Sequence, residues 1–149
     1  VCFMFMGEFI HSIDAKGRII MPSKFRDEVP EGSFVITRGL DGCLFVYTEE
    51  EWAAFDSKLQ SLPLINKGTR QLNRFFHAGV TVVEPDKQGR VLIPATLREY
   101  AALDKDVCLV GMGNKIEVWS KERWETNVNS IGDDIDSVLS DMEELGFTI

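Results

Sequence analysis

Two arginines each follow the glycine of a short turn, and this turn occurs twice in the chain. The first copy is DAKGRIIMP, Asp14 to Pro22, and the second is DKQGRVLIP, Asp86 to Pro94. Each copy has an aspartate, then Gly-Arg, three aliphatic residues and a proline. An arginine beside a turn can bind a phosphate, or the O6 and N7 edge of guanine, with its planar guanidinium. The motif therefore favours binding to an anion or a nucleic acid.

The same turn also has a purely structural explanation. Asp14 can accept backbone N–H groups in the turn, and Gly17 suits a position with positive φ. Asp14 can also pair with Arg18, four residues later, and exposed pairs of this kind are common and contribute little to stability. The residue pattern alone leaves both interpretations open for each turn.

The turns belong to a longer repeat. When the sequence is shifted by 72 positions, Asp14–Trp52 aligns without a gap on Asp86–Trp124, with identities at 10 of 39 positions. The identities include glycine, proline and tryptophan, which chance rarely keeps in one register. We therefore predict two copies of one supersecondary unit, related by a pseudo-twofold axis that brings both turns to one surface.

Each copy predicts the same order of elements: a strand, the turn, a second strand, a short helix and two more strands. The fold class is therefore α+β and rich in β-structure. The predicted strands are Glu8–Ile13, Arg18–Met21, Ser33–Thr37, Leu44–Tyr47, Val80–Glu84, Arg90–Ile93, Val107–Val110 and Ile116–Trp119, and the short helices are Ser23–Val29 and Ala95–Leu103. The predicted domains are repeat 1 at 8–50, a helical connector at 51–78, repeat 2 at 79–122 and an acidic C-terminal helix at 123–149.

Longer helices follow each repeat. The first begins after Thr48 with a capping box and ends before Pro63, with an apolar face of Trp52, Phe55, Leu59 and Leu62. A second helix, near Thr69–Phe76, carries Lys67, Arg70 and Arg74 on one face by spacing. This basic face is a solvated surface, a partner of the acidic last helix, or a second DNA-contacting patch.

The last helix has apolar residues at alternating spacings of four and three, the period of a seam between helices. The seam residues are Trp124, Val128, Ile131, Ile135, Val138, Met142 and Leu145. We expect this helix to pack near the middle helix of its own chain or of a neighbour. The alternative is that the chain beyond Gly132 is a frayed acidic tail.

The net charge of −8 does not exclude a nucleic-acid partner, because the charge is unevenly distributed. Residues 121–149 carry eight acids and two bases, whereas Asp14–Arg26 has four bases and one acid. No apolar run approaches the length of a membrane span, and the start VCFMFMGEF lacks the features of a signal peptide. The protein is therefore expected in the cytoplasm, with no membrane partner.

Residue patterns typical of enzymes and metal sites are lacking in the sequence. The three cysteines, Cys2, Cys43 and Cys108, have no metal-ligand spacing and are interpreted as reduced thiols. There is no Gly-rich phosphate loop, no H-E-x-x-H and no Gly-x-Ser-x-Gly. We therefore expect no catalytic residue, no metal, no cofactor and no small-molecule ligand.

Two segments resemble a known family. MFMGEFIHSIDAKGRIIMPSKFRDEV, Met4 to Val29, is similar to the amino terminus of the MraZ family of bacterial transcriptional regulators. DKQGRVLIPATLREYAAL, Asp86 to Leu103, is similar to its second signature, and the resemblance extends over essentially the whole chain. It implies the AbrB-like swapped-hairpin superfamily of DNA-binding proteins. The two repeats would then form a pseudo-dimeric, swapped-hairpin-like barrel within one chain, with flanking helices.

The resemblance also implies a function. Members are regulators of the division and cell-wall gene cluster, including their own promoter, and form ring homo-oligomers on repeated boxes of double-stranded DNA. A nucleoid-associated protein is therefore expected. The implied DNA-binding residues are Lys16, Arg18, Lys87 and Arg90, and the implied turn residues are Asp14, Gly17, Asp86 and Gly89. In the second turn Gln88 replaces the lysine before glycine, so the two turns need not contribute equally.

Two other functions remain open at this stage. The first is a protein-interaction module of the same fold, antitoxin-like, in which the arginine turns are only structural. The second is an oligomeric hydrolase, which would need a pocket with a strongly perturbed acid or base. The salt dependence of binding distinguishes the protein-interaction module from a DNA-binding protein, because contacts to DNA phosphates weaken steeply as the salt concentration rises.

Overall fold

A computed structural model describes residues 5–29 and 32–148 of the 149-residue chain. Eight strands and five α-helices alternate along these residues, with a short 3₁₀ turn at Leu40–Gly42. The strands are β1 Phe5–Ser12, β2 Arg18–Ile20, β3 Phe34–Arg38, β4 Leu44–Thr48, β5 Thr81–Val83, β6 Arg90–Leu92, β7 Asp106–Gly113 and β8 Ile116–Ser120. The helices are α1 Ser23–Arg26, α2 Glu49–Gln60, α3 Lys67–Ala78, α4 Ala95–Ala101 and α5 Lys121–Glu143.

Six of the strands form one antiparallel sheet, in the order β1-β7-β8-β4-β3-β5. The other two, β2 and β6, form a separate two-stranded antiparallel ribbon. The first strand of each repeat pairs with the other repeat: β1 pairs with β7, and β5 pairs with β3. The α+β class is confirmed, and neither repeat completes its own sheet.

The pairing register defines a pseudo-twofold axis. In the ribbon Ile19 lies opposite Val91, and in the sheet Phe45 lies opposite Glu117. Each of these pairs joins residues that are 72 positions apart, so each residue faces its own repeat equivalent. In an antiparallel pair this occurs only where a twofold axis passes between the two strands. The predicted internal symmetry is therefore present.

Alternate residues of the sheet contribute to two separate cores, as the period of two along a strand requires. One face packs against the ribbon, α1 and α4, and its core includes Ile19, Phe25, Val91 and Leu97. The opposite face packs against α2, α3 and the start of α5, and its core includes Phe76 and Trp119. The sheet thus separates the ribbon from the longer helices.

The predicted elements occur, with shifts at their ends. The two short helices are shorter than expected and end at Arg26 and Ala101. The hydroxyl of Thr48 accepts the Glu51 N–H at 3.0 Å, as a helix cap should. The alternative of a frayed tail beyond Gly132 is not observed, because α5 continues to Glu143. None of the helices in the described ranges has the length and apolarity that a membrane span needs.

Candidate nucleic-acid interface

Each turn is closed by its aspartate. In the first turn Asp14 Oδ1 accepts the backbone N–H groups of Lys16 and Arg18, both at 2.9 Å. The other oxygen, Oδ2, accepts Nε–H of Arg18 at 2.7 Å. Gly17 follows with φ of 87°, a left-handed conformation that favours glycine. One carboxylate therefore fixes both the turn and the direction of the arginine.

The second turn repeats this geometry. Asp86 Oδ1 accepts the N–H groups of Gln88 and Arg90 at 2.9 Å, and Oδ2 accepts Arg90 Nε–H at 2.8 Å. Gly89 has φ of 80°. The change from lysine to Gln88 does not alter the turn, because only its backbone N–H takes part. Any difference between the turns therefore lies in side-chain charge and not in backbone shape.

These hydrogen bonds keep both carboxylates ionised. The backbone N–H of Arg18 is the largest cause that lowers the pKa of Asp14, and the Arg18 side chain lowers it further. The Arg90 N–H and side chain lower the pKa of Asp86 in the same way. Each turn therefore holds a charged pair at neutral pH.

The aspartates bind only one edge of each arginine. Both Arg18 and Arg90 use Nε, and in the described part of the chain no hydrogen bond involves their Nη1 or Nη2 atoms. The two terminal nitrogens are the pair that meets guanine O6 and N7, or two phosphate oxygens, end-on. The structural interpretation and the binding interpretation of the turn are thus compatible.

The ribbon places both arginines on one outward face. Ile19 and Val91 point into the core and are 1% exposed, so their strand neighbours point outward. Arg18 lies opposite Leu92, and Ile20 lies opposite Arg90. Strand spacing puts the Cα atoms of Arg18 and Arg90 about 8 Å apart. The prediction that both turns lie close together on one surface is confirmed.

Two aliphatic side chains share this face, and the sequence interpretation missed them. Ile20 is 42% exposed and Leu92 is 52% exposed. They alternate with the arginines across the ribbon. The alternation of residues along β2 and β6, with Ile19 and Val91 buried, was the pattern that could have revealed them.

Each turn is supported from behind by an arginine of the other repeat. A Cβ atom at Gly17 would lie 2.7 Å from Cζ of Arg98, so the guanidinium lies directly against this glycine. Arg98 Nε donates to the Ile93 carbonyl, and the Ile93 N–H donates to the Gly17 carbonyl. Arg26 takes the equivalent position behind Gly89, where a Cβ would also lie 2.7 Å from its Cζ. The two arginines recur eight residues after each motif arginine, which was the available sequence clue.

The remaining basic candidates divide between the two sides of the molecule. Lys16 and Lys87 are exposed in the turns beside the ribbon. The basic residues of α3 do not join them, because α3 packs on the opposite face of the sheet. A second patch continuous with the ribbon is therefore not formed by Lys67, Arg70 and Arg74.

The buried thiols are poor nucleophiles. Burial raises the pKa of Cys43, and burial together with the nearby Glu8 carboxylate raises the pKa of Cys108 to about 12. Both thiols therefore stay protonated at neutral pH. Cys2 lies outside the described residues.

A family model described as "MraZ protein, putative antitoxin-like" matches two successive stretches, residues 4–75 and 76–137. The chain belongs to the MraZ family. The two matches correspond to the two repeats, each carrying one arginine turn.

Curated relatives in this family cover nearly the whole chain. A protein named "Transcriptional regulator MraZ" from Lachnoclostridium phytofermentans is 57% identical over 97% of this chain and 99% of its own length. MraZ proteins of the same name from Acetivibrio thermocellus and Halothermothrix orenii are each 50% identical over 96% of this chain and 99% of their own lengths. These relatives are named as regulators and not as enzymes. A solution structure of PHS018 from Pyrococcus horikoshii aligns with a TM-score of 0.34 at 17% identity, over 76% of this chain and 87% of that chain, too low a likeness to support an argument.

Proposed function

We propose that this protein is a transcriptional regulator that binds double-stranded promoter DNA through the outward face of the β2–β6 ribbon. The proposal rests on two arginines that lie on that one face and are held by Nε, with Nη groups that make no hydrogen bond within the part of the chain that the structure describes. DNA-binding residues are Lys16, Arg18, Lys87 and Arg90. The names of the relatives support regulation.

The shape of the ribbon supports insertion into the major groove. A two-stranded antiparallel ribbon fits a groove that is about 12 Å wide, and ribbons of this kind read bases in other regulators. Arg18 and Arg90 then face guanine edges or phosphates. Ile20 and Leu92, on the same face, are placed to contact thymine methyl groups. Lys16 and Lys87 contact the phosphates on either side.

The distribution of charge explains how an acidic protein binds DNA. Six of the eight net negative charges come from residues 121–149, which include all of α5. The start of α5, with α2 and its three successive glutamates, packs on the sheet face opposite the ribbon. The sheet therefore separates the acids of α2 and of the first turn of α5 from the basic side chains of the ribbon.

Self-association supplies the affinity that one ribbon lacks. Two arginines and two lysines make few contacts, so one chain on one site binds weakly. A ring homo-oligomer would present many ribbons to regularly repeated promoter boxes, and each further contact benefits from a high effective concentration. From the resemblance to the family we propose that these boxes lie in the division and cell-wall gene cluster, including the protein's own promoter, and that the protein acts at the nucleoid in the cytoplasm.

The test is the salt dependence of binding to the promoter that precedes its own gene. Arg18→Ala is expected to weaken specific binding by about 1–3 kcal/mol if Arg18 is bidentate to guanine. Lys16→Ala is expected to weaken binding to all sequences and to lower the salt slope by about 1. Fluorescence anisotropy across a salt series measures both effects.

A matched control is Lys58→Ala, because Lys58 is an exposed base on α2, across the sheet from the ribbon. It should bind as the wild type does. Circular dichroism must show that each variant is folded. Affinity that is unchanged in folded Arg18→Ala and Arg90→Ala would contradict the proposal and favour the antitoxin-like interaction module, in which the turns are structural only.

A further inference from the structure

The outer part of α5 presents an apolar stripe that its own chain leaves open. From Val128 to Met142 the stripe residues are between 37% and 50% exposed. They are Val128, Ile131, Ile135, Val138 and Met142. The spacing of four and three puts them along one side of the helix, as in a helix that packs against a neighbour. An exposed stripe of this length marks an interaction surface.

A second apolar surface lies on a different part of the same chain. A groove of about 820 Å³ runs beside α3, and its apolar lining consists of Leu40, Leu62, Pro63, Leu72 and Phe75. The loop at its end, between α2 and α3, exposes Leu64 and leaves Ile65 91% exposed. The groove is therefore open and continues into an exposed apolar loop.

This loop is held in place although its apolar side chains are exposed. Arg70 Nη1 donates to the carbonyls of Leu64 and Ile65, both at 3.0 Å. Asn66 Oδ1 accepts the N–H groups of Gly68 and Thr69 and caps α3. A fixed loop that exposes two aliphatic residues costs less ordering entropy when a partner binds. The surface is thus prepared for a partner.

The charges beside the two surfaces are opposite. On α5, Asp134 and Asp141 are seven residues apart and lie along one side of the stripe, and Asp136 and Glu143 lie further round on the polar face of the helix. On α3, the helix beside the groove, Lys67 and Arg74 are also seven residues apart and are exposed. Paired charges of this kind select the partner and its orientation more than they add affinity.

The same charges argue against pairing of two α5 helices. Residues 124–149 contain seven acids and no base, so two stripes laid together would bring like charges into contact. Pairing within one chain is also not observed, since the stripe and the groove are exposed together. A second copy of the chain can supply a groove for the stripe of the first copy and a stripe for its groove.

We propose that the stripe of α5 from one copy docks in the α3 groove of a second copy. The contact is head-to-tail, because different surfaces of the two copies meet, and such contacts form rings when the rotation closes. Both surfaces lie on elements across the sheet from the ribbon, so docking leaves the DNA face free. This proposal names the interface of the oligomer that the proposed function requires. It therefore rests on the proposed function for the existence of that oligomer.

Two variants of the full chain test the interface. Ile135→Asp places a charge in the stripe, and Leu72→Asp places one in the groove. Both sites are exposed in the single chain, 50% and 41% respectively, so neither change disturbs a core. Each variant is expected to reduce the assembly to the 16.8 kDa mass of one chain in sedimentation velocity. Ser137→Asp, on the same helix but away from the stripe, is the matched control and should assemble as the wild type does.

Mixing the two variants separates a head-to-tail contact from every other arrangement. Ile135→Asp keeps an intact groove and Leu72→Asp keeps an intact stripe, so one productive contact remains between them. An equimolar mixture is expected to form a species of twice the chain mass and nothing larger. Neither variant alone should form it at the same total concentration.

Other results overturn the proposal. If Leu72→Asp keeps the wild-type mass while Ile135→Asp loses it, α5 pairs with another surface, such as a second α5. If both variants keep the wild-type mass, the interface lies elsewhere, although self-association stands. A wild type that sediments as one chain at every concentration removes the oligomer itself. Binding of Ile135→Asp to a duplex with one box, measured across a salt series, reports DNA recognition independently of these outcomes.

Discussion

Asp14 and Asp86 bind the Nε–H of their arginines and not the terminal Nη groups. Each carboxylate accepts Nε–H at 2.7 or 2.8 Å and takes two backbone N–H groups with its other oxygen. The arginine is therefore held in one direction before it meets a ligand, and neither Nη group forms a hydrogen bond with residues 5–29 or 32–148. Preorganisation of this kind reduces the side-chain entropy that binding would otherwise cost.

Replacing Asp14 by Asn should destabilise the protein in a pH-dependent way. The pKa of Asp14 is lowered in the folded state, so its ionised form stabilises the fold above its unfolded pKa of about 4. This contribution is lost as the pH falls through the lower folded pKa. The stability difference between wild type and Asp14→Asn should be constant near neutral pH and shrink below about pH 4. Urea unfolding at a series of pH values measures it.

Asp136→Asn, on the exposed side of α5, serves as the comparison for this prediction. It removes a carboxylate that has no partner in the described part of the chain. A difference for Asp14→Asn that stays constant down to pH 2 would show that the ionised carboxylate does not stabilise the turn.

Much of the turn could be predicted from residue types alone. Aspartate in the first position, glycine in the last and arginine four residues after aspartate are sufficient for a capped turn with an ion pair. The sequence could not show which nitrogen of Arg18 the carboxylate binds, because this depends on side-chain rotamers. That choice of nitrogen decides whether the arginine remains available to DNA.

At the scale of elements, each turn is supported by the helix of the other repeat. Arg98 comes from α4 of the second repeat and lies against Gly17 of the first, and Arg26 from α1 lies against Gly89. A side chain at either glycine would meet a guanidinium as well as an unfavourable φ. Each turn therefore depends on an arginine that the other repeat supplies.

Arg98→Met should loosen the first turn and leave the second unchanged. Methionine keeps the apolar stem but loses the guanidinium that contacts Gly17 and the Ile93 carbonyl. A loss of about 1 kcal/mol is expected for one such hydrogen bond. Hydrogen–deuterium exchange should rise in a peptide covering 14–18 and not in one covering 86–90. Arg26→Met should give the reverse pattern, and an effect on the turn of the same repeat would contradict the cross-repeat support.

The order of elements was predictable from the repeat, but their partners were not. Strands β1 and β5 each pair with the other repeat, and nothing in a strand's own residues states which strand it joins. The seam of α5 was predicted by its spacing, and the helix is present through Gly132. Its exposure in the single chain, and the groove beside α3, depend on tertiary packing that periodicity does not contain.

At the scale of the whole molecule, the six-stranded sheet separates the proposed DNA-binding surface from the proposed surface of self-association. The ribbon with its arginines lies on one face, and the groove and the base of α5 lie on the other. The proposed DNA contact and the proposed contact between copies therefore use different faces and do not compete. The same division places the acidic residues of α2 away from the proposed DNA-binding face.

Because β1 and β5 each pair with a strand of the other repeat, we expect the two repeats to unfold together. The core under the ribbon takes Ile19 and Phe25 from the first repeat and Val91 and Leu97 from the second. Ile19→Ala and Leu97→Ala remove side chains that are 1% and 2% exposed, so each should cost about 2–5 kcal/mol. Although the changes lie in different repeats, each should shift one common transition.

Urea unfolding at a fixed protein concentration tests this, because self-association makes apparent stability depend on concentration. Far-UV circular dichroism follows both repeats, and the fluorescence of Trp52, Trp119 and Trp124 reports mainly the core on the opposite side of the sheet. The two probes should give coincident curves in wild type and in both variants. The fluorescence curve should shift although neither substitution touches a tryptophan, since the sheet that joins the cores contains strands from both repeats. The contrary result would be two separate transitions, with Ile19→Ala shifting only one and Leu97→Ala only the other. The repeats would then fold independently despite their exchanged strands.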